Sequence, residues 1–532
     1  MKPSNRVLPP PLLLAAAAGM LSILLNVQYP ADRLFSWQLV LPSVDVWLLL
    51  LPLALAACRG NRALFWTTLP VWALFLVLRL LRIGDTVVPM YLNRPFNLYL
   101  DSAYLYGLYD LLKTSSRQSD FLLLAAAAAI VTLGVGVLTW FAWQWAARAL
   151  TDGRLRFAFL GASGLLLGAL LISGAQPSKP PALVRLGQEI RSVHRQKAQQ
   201  QAFVDQLERL ARERSAAPAT LIGLGGADVL LFVVESYGRV VFSLPHYRQG
   251  MELTMDKLGK TLARHGFNAV SSFLDSPTYG GASWLAHATL EFGVRVDNDL
   301  EETALLRSPL EPMAALFRRN GYRTVSVMPG TRFAFPQGAA FGYEQAYYAW
   351  HFGYQGRTFG WAPMPDQFVL DWIRRREFIT PDKPVFARYV LVSSHASFSI
   401  QPPYITEWET IGDGNLYNGR KPVIYPIVWP DLSNAGDAYL RSLDYEFETL
   451  GNYLAQYVAR DTLIIIVGDH QPNRQLTGPG EPWSVPVHVI SRNTRLLTPF
   501  RDRGYTAGLF PEQPPPHAGM ETFWPGFVQD FK

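Results

Sequence analysis

Five apolar runs crowd the first 175 residues: roughly Val7–Gln28, Trp37–Cys58, Ala63–Ile83, Phe121–Ala147 and Phe157–Gly174. At about 1.5 Å of rise per helical residue, each is long enough to cross about 30 Å of hydrocarbon. After them the polarity becomes mixed, and Gly and Pro punctuate the chain as in a globular domain. No single uniform fold accommodates both parts, and the mean hydropathy of +0.09 averages two unlike halves. The expected organisation is a five-helix transmembrane domain over 1–175, a connector helix over 176–220 and one large globular domain over 221–532.

Charge orients the bundle. Lys2 and Arg6 precede the first run, Arg59 and Arg62 separate the second from the third, and Arg148, Arg154 and Arg156 separate the fourth from the fifth. The alternate loops are balanced, with Asp32 beside Arg33, and Asp85, Asp101 and Asp110 set against Arg94, Lys113 and Arg117. By the positive-inside rule the N-terminus is cytoplasmic, and an odd number of spans puts everything after residue 175 outside. Within the long outer loop, residues 97–114 place Leu and Tyr at helical intervals. They read either as an interfacial helix on the outer leaflet or as an amphipathic helix packed on the bundle. Asp45 and Arg79, near the outer ends of their spans, either pair, meet a headgroup or snorkel to the interface. The net charge of +6 is modest and no Lys/Arg block resembles a nucleic-acid arm. Cys58 is the one cysteine, so intrachain disulfides and Cys-based zinc modules are excluded.

Beyond Gly226, strand-length apolar runs alternate with helical stretches. The runs are Asp228–Val234, Phe267–Ser272, Arg323–Met328, Val385–Val392 and Thr462–Val467; the helices fall near Met251–His265, Ser283–Phe292, Pro312–Asn320 and Ala435–Ala459. That alternation predicts an α/β domain with a largely parallel sheet and helices on both faces. In such a sheet ligands bind at the carboxyl ends of strands. Two strand ends carry metal-type ligands: Glu235 follows the first, and Asp469 with His470 follows the last. One divalent cation, Zn or Mn, suits that mixture of oxygen and nitrogen donors. Gly280 and Gly281 permit a tight turn that leaves Ser283 near a helix N-terminus, where a partial positive charge favours an anion. A serine oxygen activated by a metal is a good nucleophile. Taken singly, each feature has an ordinary reading as a paired carboxylate, a helix cap or a turn; their order and their place at strand ends point to one site. His287, one turn after Ser283, either approaches the site or packs on its helix, and His488 is a candidate supporting or additional ligand.

A strand ending in Glu235-Ser236-Tyr237-Gly238, a glycine-flanked hydroxyl residue, Ser393-Ser394-His395 after another strand, and Gly468-Asp469-His470 after the last together resemble the sulfatase-like branch of the alkaline phosphatase superfamily. With five spans and an outward connector, the architecture is similar to lipoteichoic acid synthase and to the phosphoglycerol and phosphoethanolamine transferases. The resemblance implies that Glu235, Asp469 and His470 hold one metal and that Ser283 is the nucleophile completing its coordination. It further implies that His395 stands beside the transferred phosphoryl group, and that a basic and an aromatic residue between Pro329 and Asp366, taken here as Arg332 and Trp361, contact substrate. The implied partners are a membrane phospholipid donor and an envelope glycan or lipid acceptor, with no nucleic acid. The implied location is the cytoplasmic membrane, with the catalytic domain outside.

Two departures bear on this reading. One gapless alignment puts Ala282 where relatives carry a threonine nucleophile; Ser283 is the hydroxyl directly after the glycine pair, and Thr278 is the runner-up. A sulfatase built on formylglycine needs C/S-x-P-x-R, and Ser243-Leu244-Pro245-His246-Tyr247 has Tyr where Arg is required. Three functions stay open: transfer of a phosphoalcohol through a phosphoserine-type intermediate, hydrolysis of an ester with water as acceptor, or an inactive envelope scaffold.

Overall fold

The computed structural model describes residues 8–27, 43–102, 118–173, 181–216, 219–378, 382–427, 431–511 and 518–532. The chain divides into two compact units, Met1–Pro89 with Arg94–Ala198, and Met90–Asn93 with Gln199–Lys532.

The first unit is helical. Its elements are α1 (Pro10–Asn26), α2 (Val44–Cys58), α3 (Asn61–Leu92), α4 (Gln118–Ala149), α5 (Gly153–Ser173) and the start of α6 (Ala182–Ala216). Leu21 of α1, Leu50 and Leu53 of α2, Phe75 and Leu78 of α3 and Trp143 of α4 share one core. Outside that core the apolar character continues: Leu123, Ile130, Val131 and Leu133 of α4 are exposed, an exterior that water disfavours and lipid does not. Among the described residues, two helical segments, Asn61–Leu92 and Ala125–Ala149, are long and apolar enough to cross a membrane; α1 and α2 are shorter apolar helices. The predicted five spans therefore correspond to five helices, of which two meet that test by length and composition.

Asp45 and Arg79 are not partners. Asp45 is buried, pairs with Arg82 at 3.5 Å and accepts a hydrogen bond from the Leu183 amide. Arg79 instead donates to the carbonyls of Leu25 and Val27. The helix expected over 97–114 is seen from Leu98 to Ser102, and the rest of that segment lies outside the described residues.

The second unit is built on an eight-stranded sheet. The strands in chain order are β1 (Asp228–Val234), β2 (Asn268–Asp275), β3 (Arg323–Met328), β4 (Gln345–Tyr348), β5 (Val385–Leu391), β8 (Thr462–Gly468), β9 (Ser484–Ser491) and β10 (Thr506–Ala507); β6 (Ile400–Gln401) and β7 (Val423–Ile424) form a separate hairpin. The sheet order is β10-β2-β9-β8-β1-β5-β3-β4. From β8 to β4 all neighbours run parallel, while β9 is antiparallel to both β8 and β2. Strands β1, β5 and β8 are buried along their whole length, as largely apolar strands are when both faces of the sheet are covered; Arg388 within β5 is paired with Glu291. Leu230, Phe232 and Val234 point into one core with α7 (Pro245–Arg264) and α10 (Gly436–Tyr457). Val229, Leu231 and Val233 point into the other, with Ala286 and Leu290 of α8 (Ser283–Phe292) and the C-terminal helix Phe523–Phe531. Helix α9 (Asp366–Ile373) precedes β5 and packs on α10. Among the described residues five strands go beyond the sequence expectation: β4, the hairpin strands β6 and β7, β9, whose run contains Pro486 and His488, and β10.

Candidate functional site

Register builds the centre of the site. β1 pairs with β8 so that Val234 stands opposite Gly468, and with β5 so that Val234 stands opposite Leu391. The residues that follow, Glu235 and Asp469, leave neighbouring strand ends side by side. Gly468 is required there, because a Cβ at that position would lie 1.9 Å from the Tyr237 carbonyl oxygen. Gly468→Ala is expected to force β1 and β8 apart and to destabilise the domain by about 3 kcal/mol, read as a lowered midpoint in denaturant unfolding.

Glu235, Asp469 and His470 are all buried and offer one ligand atom each within 4.8 Å of one another, the one such group of three among the described residues. The His470 Nε2 lies 3.4 Å from Glu235 Oε1 and 3.6 Å from Asp469 Oδ2. Neighbouring donors orient each group. Asp469 Oδ1 accepts from the amides of Ser236 and His470, while its Oδ2 is buried with no hydrogen-bond partner among the described residues. His470 Nδ1 faces the Gln471 carbonyl at 2.7 Å, which holds a proton on Nδ1 and turns Nε2 inward. Ser236 Oγ donates to Glu235 Oε1, Ser394 Oγ to the Glu235 carbonyl and Ser276 Oγ to the Asp469 carbonyl. These supporting serines and Gln471 lie inside or beside the motifs, but the sequence alone gave them no role. Only the parallel register makes them converge.

Ser283 completes the cluster. Gly280 and Gly281 have φ of +70° and +152°, and Ala282 sits at the N-cap of α8 at φ +59° with no side-chain cap. Ser283 is therefore the first helical residue, and its hydroxyl is not spent on capping. It donates to Glu235 Oε2 at 3.2 Å and lies 3.1 Å from His470 Nε2. Thr278 does other work: its hydroxyl donates to the Gly281 carbonyl and closes the turn.

The electrostatics are those of a site suited to a cation. Burial and the adjacent Glu235 push the Asp469 carboxyl up to about 8. Burial opposes charge on His470, but Asp469 and Glu235 outweigh it and raise the imidazole to about 9. Glu235 is held below the usual carboxylate range because His395 and His470 overcome its burial. Protons thus occupy a buried set of two carboxylates, an imidazole and a hydroxyl, a donor set that fits one divalent cation.

A second group borders the first. His395 stacks on Trp361 with ring centroids 3.9 Å apart and 13° between planes. The Arg332 guanidinium lies over the Trp361 ring, 5.5 Å from its centroid, and donates to the Trp361 carbonyl. The three residues expected to contact substrate are therefore one stacked wall, coupled to the cluster through the field of His395 on Glu235. His287 is buried, driven down to about 3 by burial and Arg388, and its Nε2 has no partner. His488 stands apart. Its two ring nitrogens are engaged by Tyr237 and Ser271, so it braces the strand end behind Glu235 and is not a ligand.

The sulfatase family model matches residues 229–489, a span that contains every residue of the cluster and the wall. No curated protein matches. Among solved structures, the chain is similar to a lipoteichoic acid synthase of Listeria monocytogenes (15% identity, 50% of this chain and 65% of that chain, TM-score 0.34). It is also similar to a phosphoglycerol transferase of Streptococcus pyogenes in complex with sn-glycerol-1-phosphate (11%, 62% and 91%, TM-score 0.36). A third is the C-terminal periplasmic domain of a phosphoethanolamine transferase of Campylobacter jejuni (12%, 57% and 89%, TM-score 0.36). The chain thus spans just under two thirds of the length of the Listeria protein.

Proposed function

We propose that this chain, a sulfatase-like enzyme of the alkaline phosphatase superfamily, is a membrane-anchored transferase that moves a phosphoalcohol from a phospholipid to an envelope glycan or lipid. The observation that carries the reading is the Ser283 hydroxyl, held within hydrogen-bond reach of both Glu235 and His470 at the sheet's carboxyl edge. Glu235, Asp469, His470 and Ser283 would hold one Zn or Mn ion. A divalent cation there supplies Lewis-acid charge that favours the serine alkoxide and neutralises phosphate oxygens.

The chain's own groups account for the rest. Ser283 Oγ, entering as the alkoxide to which it returns at the end of the cycle, forms a bond to the phosphorus of the lipid headgroup, the bond from phosphorus to the diacylglycerol oxygen breaks, and a phosphoserine diester carrying the headgroup alcohol remains. The leaving oxygen takes a proton, for which His395 is the donor that the wall presents. An acceptor hydroxyl then attacks the same phosphorus, gives up its proton to the same histidine, and Ser283 is regenerated. Arg332, stacked on Trp361, offers a guanidinium to the nonbridging oxygens. The apolar exterior of the helical unit supports anchoring in the membrane that supplies the donor.

The test is intact mass of the full-length protein after incubation with phosphatidylglycerol or phosphatidylethanolamine. An adduct of one headgroup phosphate that maps to Ser283 supports the reading and names the headgroup. Free headgroup phosphate with no glycan or lipid product would make the enzyme a hydrolase, and no reaction with either lipid would sink the lipid-donor proposal.

A further inference from the structure

Two buried carboxyls lie behind the His395 loop and take no part in the chemistry above. Asp366 opens α9 and Glu446 lies in α10, both with no exposed surface. Asp366 grips the loop at three points. Its Oδ2 accepts from the amides of Val392 at 2.7 Å and Ser393 at 2.6 Å, and its own amide donates to Ser393 Oγ. The next residue, Ser394, holds the Glu235 carbonyl, and the one after that is His395. Whatever fixes Asp366 therefore fixes both the wall and one member of the cluster.

Glu446 faces the Asp366 carboxyl and the amides of Ser393 and Ser394. Yet neither of its oxygens, nor Asp366 Oδ1, closes an ordinary hydrogen bond with a donor among the described residues. Tyr445 lies beside both carboxyls, and neither carboxyl forms an ion pair with Lys, Arg or His among the described residues. Two ionised carboxylates in contact, dry and without a cation, repel each other and lose hydration that nothing replaces. One proton between them supplies the missing donor and leaves a single negative charge, which the loop amides that bond Asp366 stabilise.

We infer that Asp366 and Glu446 share one proton as an acid–carboxylate pair, with Glu446 the acid, and that this pair is a positioning device holding the 392–395 loop in its working shape. Burial raises both carboxyls; the hydrogen bonds from Glu446 and the loop hold Asp366 back, whereas the charge of Asp366 pushes Glu446 up further, in keeping with that assignment. The turnover consequence rests on the function proposed above; the shared proton does not.

The full-length protein in detergent tests both separately. Infrared spectra of the wild type minus Glu446→Gln, recorded without substrate near neutral pH, should show a protonated-carboxyl stretch. Glu446→Gln replaces the acid O–H by an amide N–H that donates to Asp366. It should keep the melting temperature and should hydrolyse bis(p-nitrophenyl) phosphate within about threefold of wild type. Glu446→Ala removes the donor, lets the loop shift, and should lower kcat about a hundredfold with little change in KM. Absence of the carboxyl band overturns the inference, as does a Glu446→Gln protein that is unfolded, is as slow as Glu446→Ala, or binds one metal ion fewer than wild type. If the wild type does not turn over the probe, the proposed function is at fault, and the infrared band still decides the pair.

Discussion

Ser283→Ala is expected to reduce turnover of a phosphodiester by on the order of 10⁴-fold or more while leaving the cation content of the protein unchanged. The reason is the division of labour within the cluster. Two carboxylates and an imidazole remain to hold the ion after the hydroxyl is removed, but the neighbouring residues offer no replacement: the Ser236 hydroxyl is committed to Glu235 Oε1, Thr278 to the Gly281 carbonyl, and Ala282 has none to offer. Ser283→Thr, which keeps an oxygen at the first helical position, should restore much of the rate. Single-turnover assays with metal analysis on the same samples measure both quantities. A Ser283→Ala protein within tenfold of wild type would remove the serine from the mechanism and revive the scaffold reading. Loss of the ion together with activity would show that the hydroxyl is needed for binding and leave its chemical role open.

The second large effect concerns the ion itself. Asp469→Ala should take the protein to substoichiometric metal and background activity, because it removes a buried oxygen that no hydrogen bond claims among the described residues and the carboxylate that raises His470. In the wild type, affinity should depend steeply on pH. The free cluster holds protons on Asp469 up to about pH 8 and on His470 up to about 9, and an incoming cation must displace them. Affinity should therefore climb by about tenfold per pH unit for each proton released: two protons below pH 8, one between 8 and 9, and none above. Calorimetric titration in buffers of different ionisation enthalpy counts those protons. An affinity that does not change from pH 6.5 to 9.5 would contradict the electrostatic description of the site.

Much of this centre could be read before the fold was known, for a simple physical reason. Glu235 and the Asp469-His470 pair each follow directly on a strand whose interior is an unbroken apolar run, and such runs announce themselves. Ser283 was legible because the glycines before it mark a turn. What escaped is what depends on pairing across long sequence separations. β9 hides because Pro486 and His488 interrupt its apolar pattern, although Pro486 lies opposite Phe273 in the sheet and His488 is fully buried. The role of Thr278 depends on a contact within a turn whose φ values the residue types allow but do not dictate. The depth of Asp45 and Arg79 in the sequence allows pairing, a headgroup contact or snorkelling alike; helix rotation brings Arg82 to Asp45 instead. The Asp366–Glu446 contact joins two helices that are 80 positions apart in the chain, and neither carboxyl belongs to a recognisable motif.

The separate origin of cluster and wall has a further consequence. The ion-holding groups and the nucleophile come from β1, β8 and α8, whereas Arg332 and Trp361 belong to a single excursion between β3 and α9. On the proposed function, residues 329–365 would act as a cassette: exchanging that stretch between relatives is expected to alter which headgroup or acceptor is admitted while the reaction centre keeps its own frame. Natural diversification and laboratory redesign of selectivity then share one address in the chain, and neither has to renegotiate the chemistry.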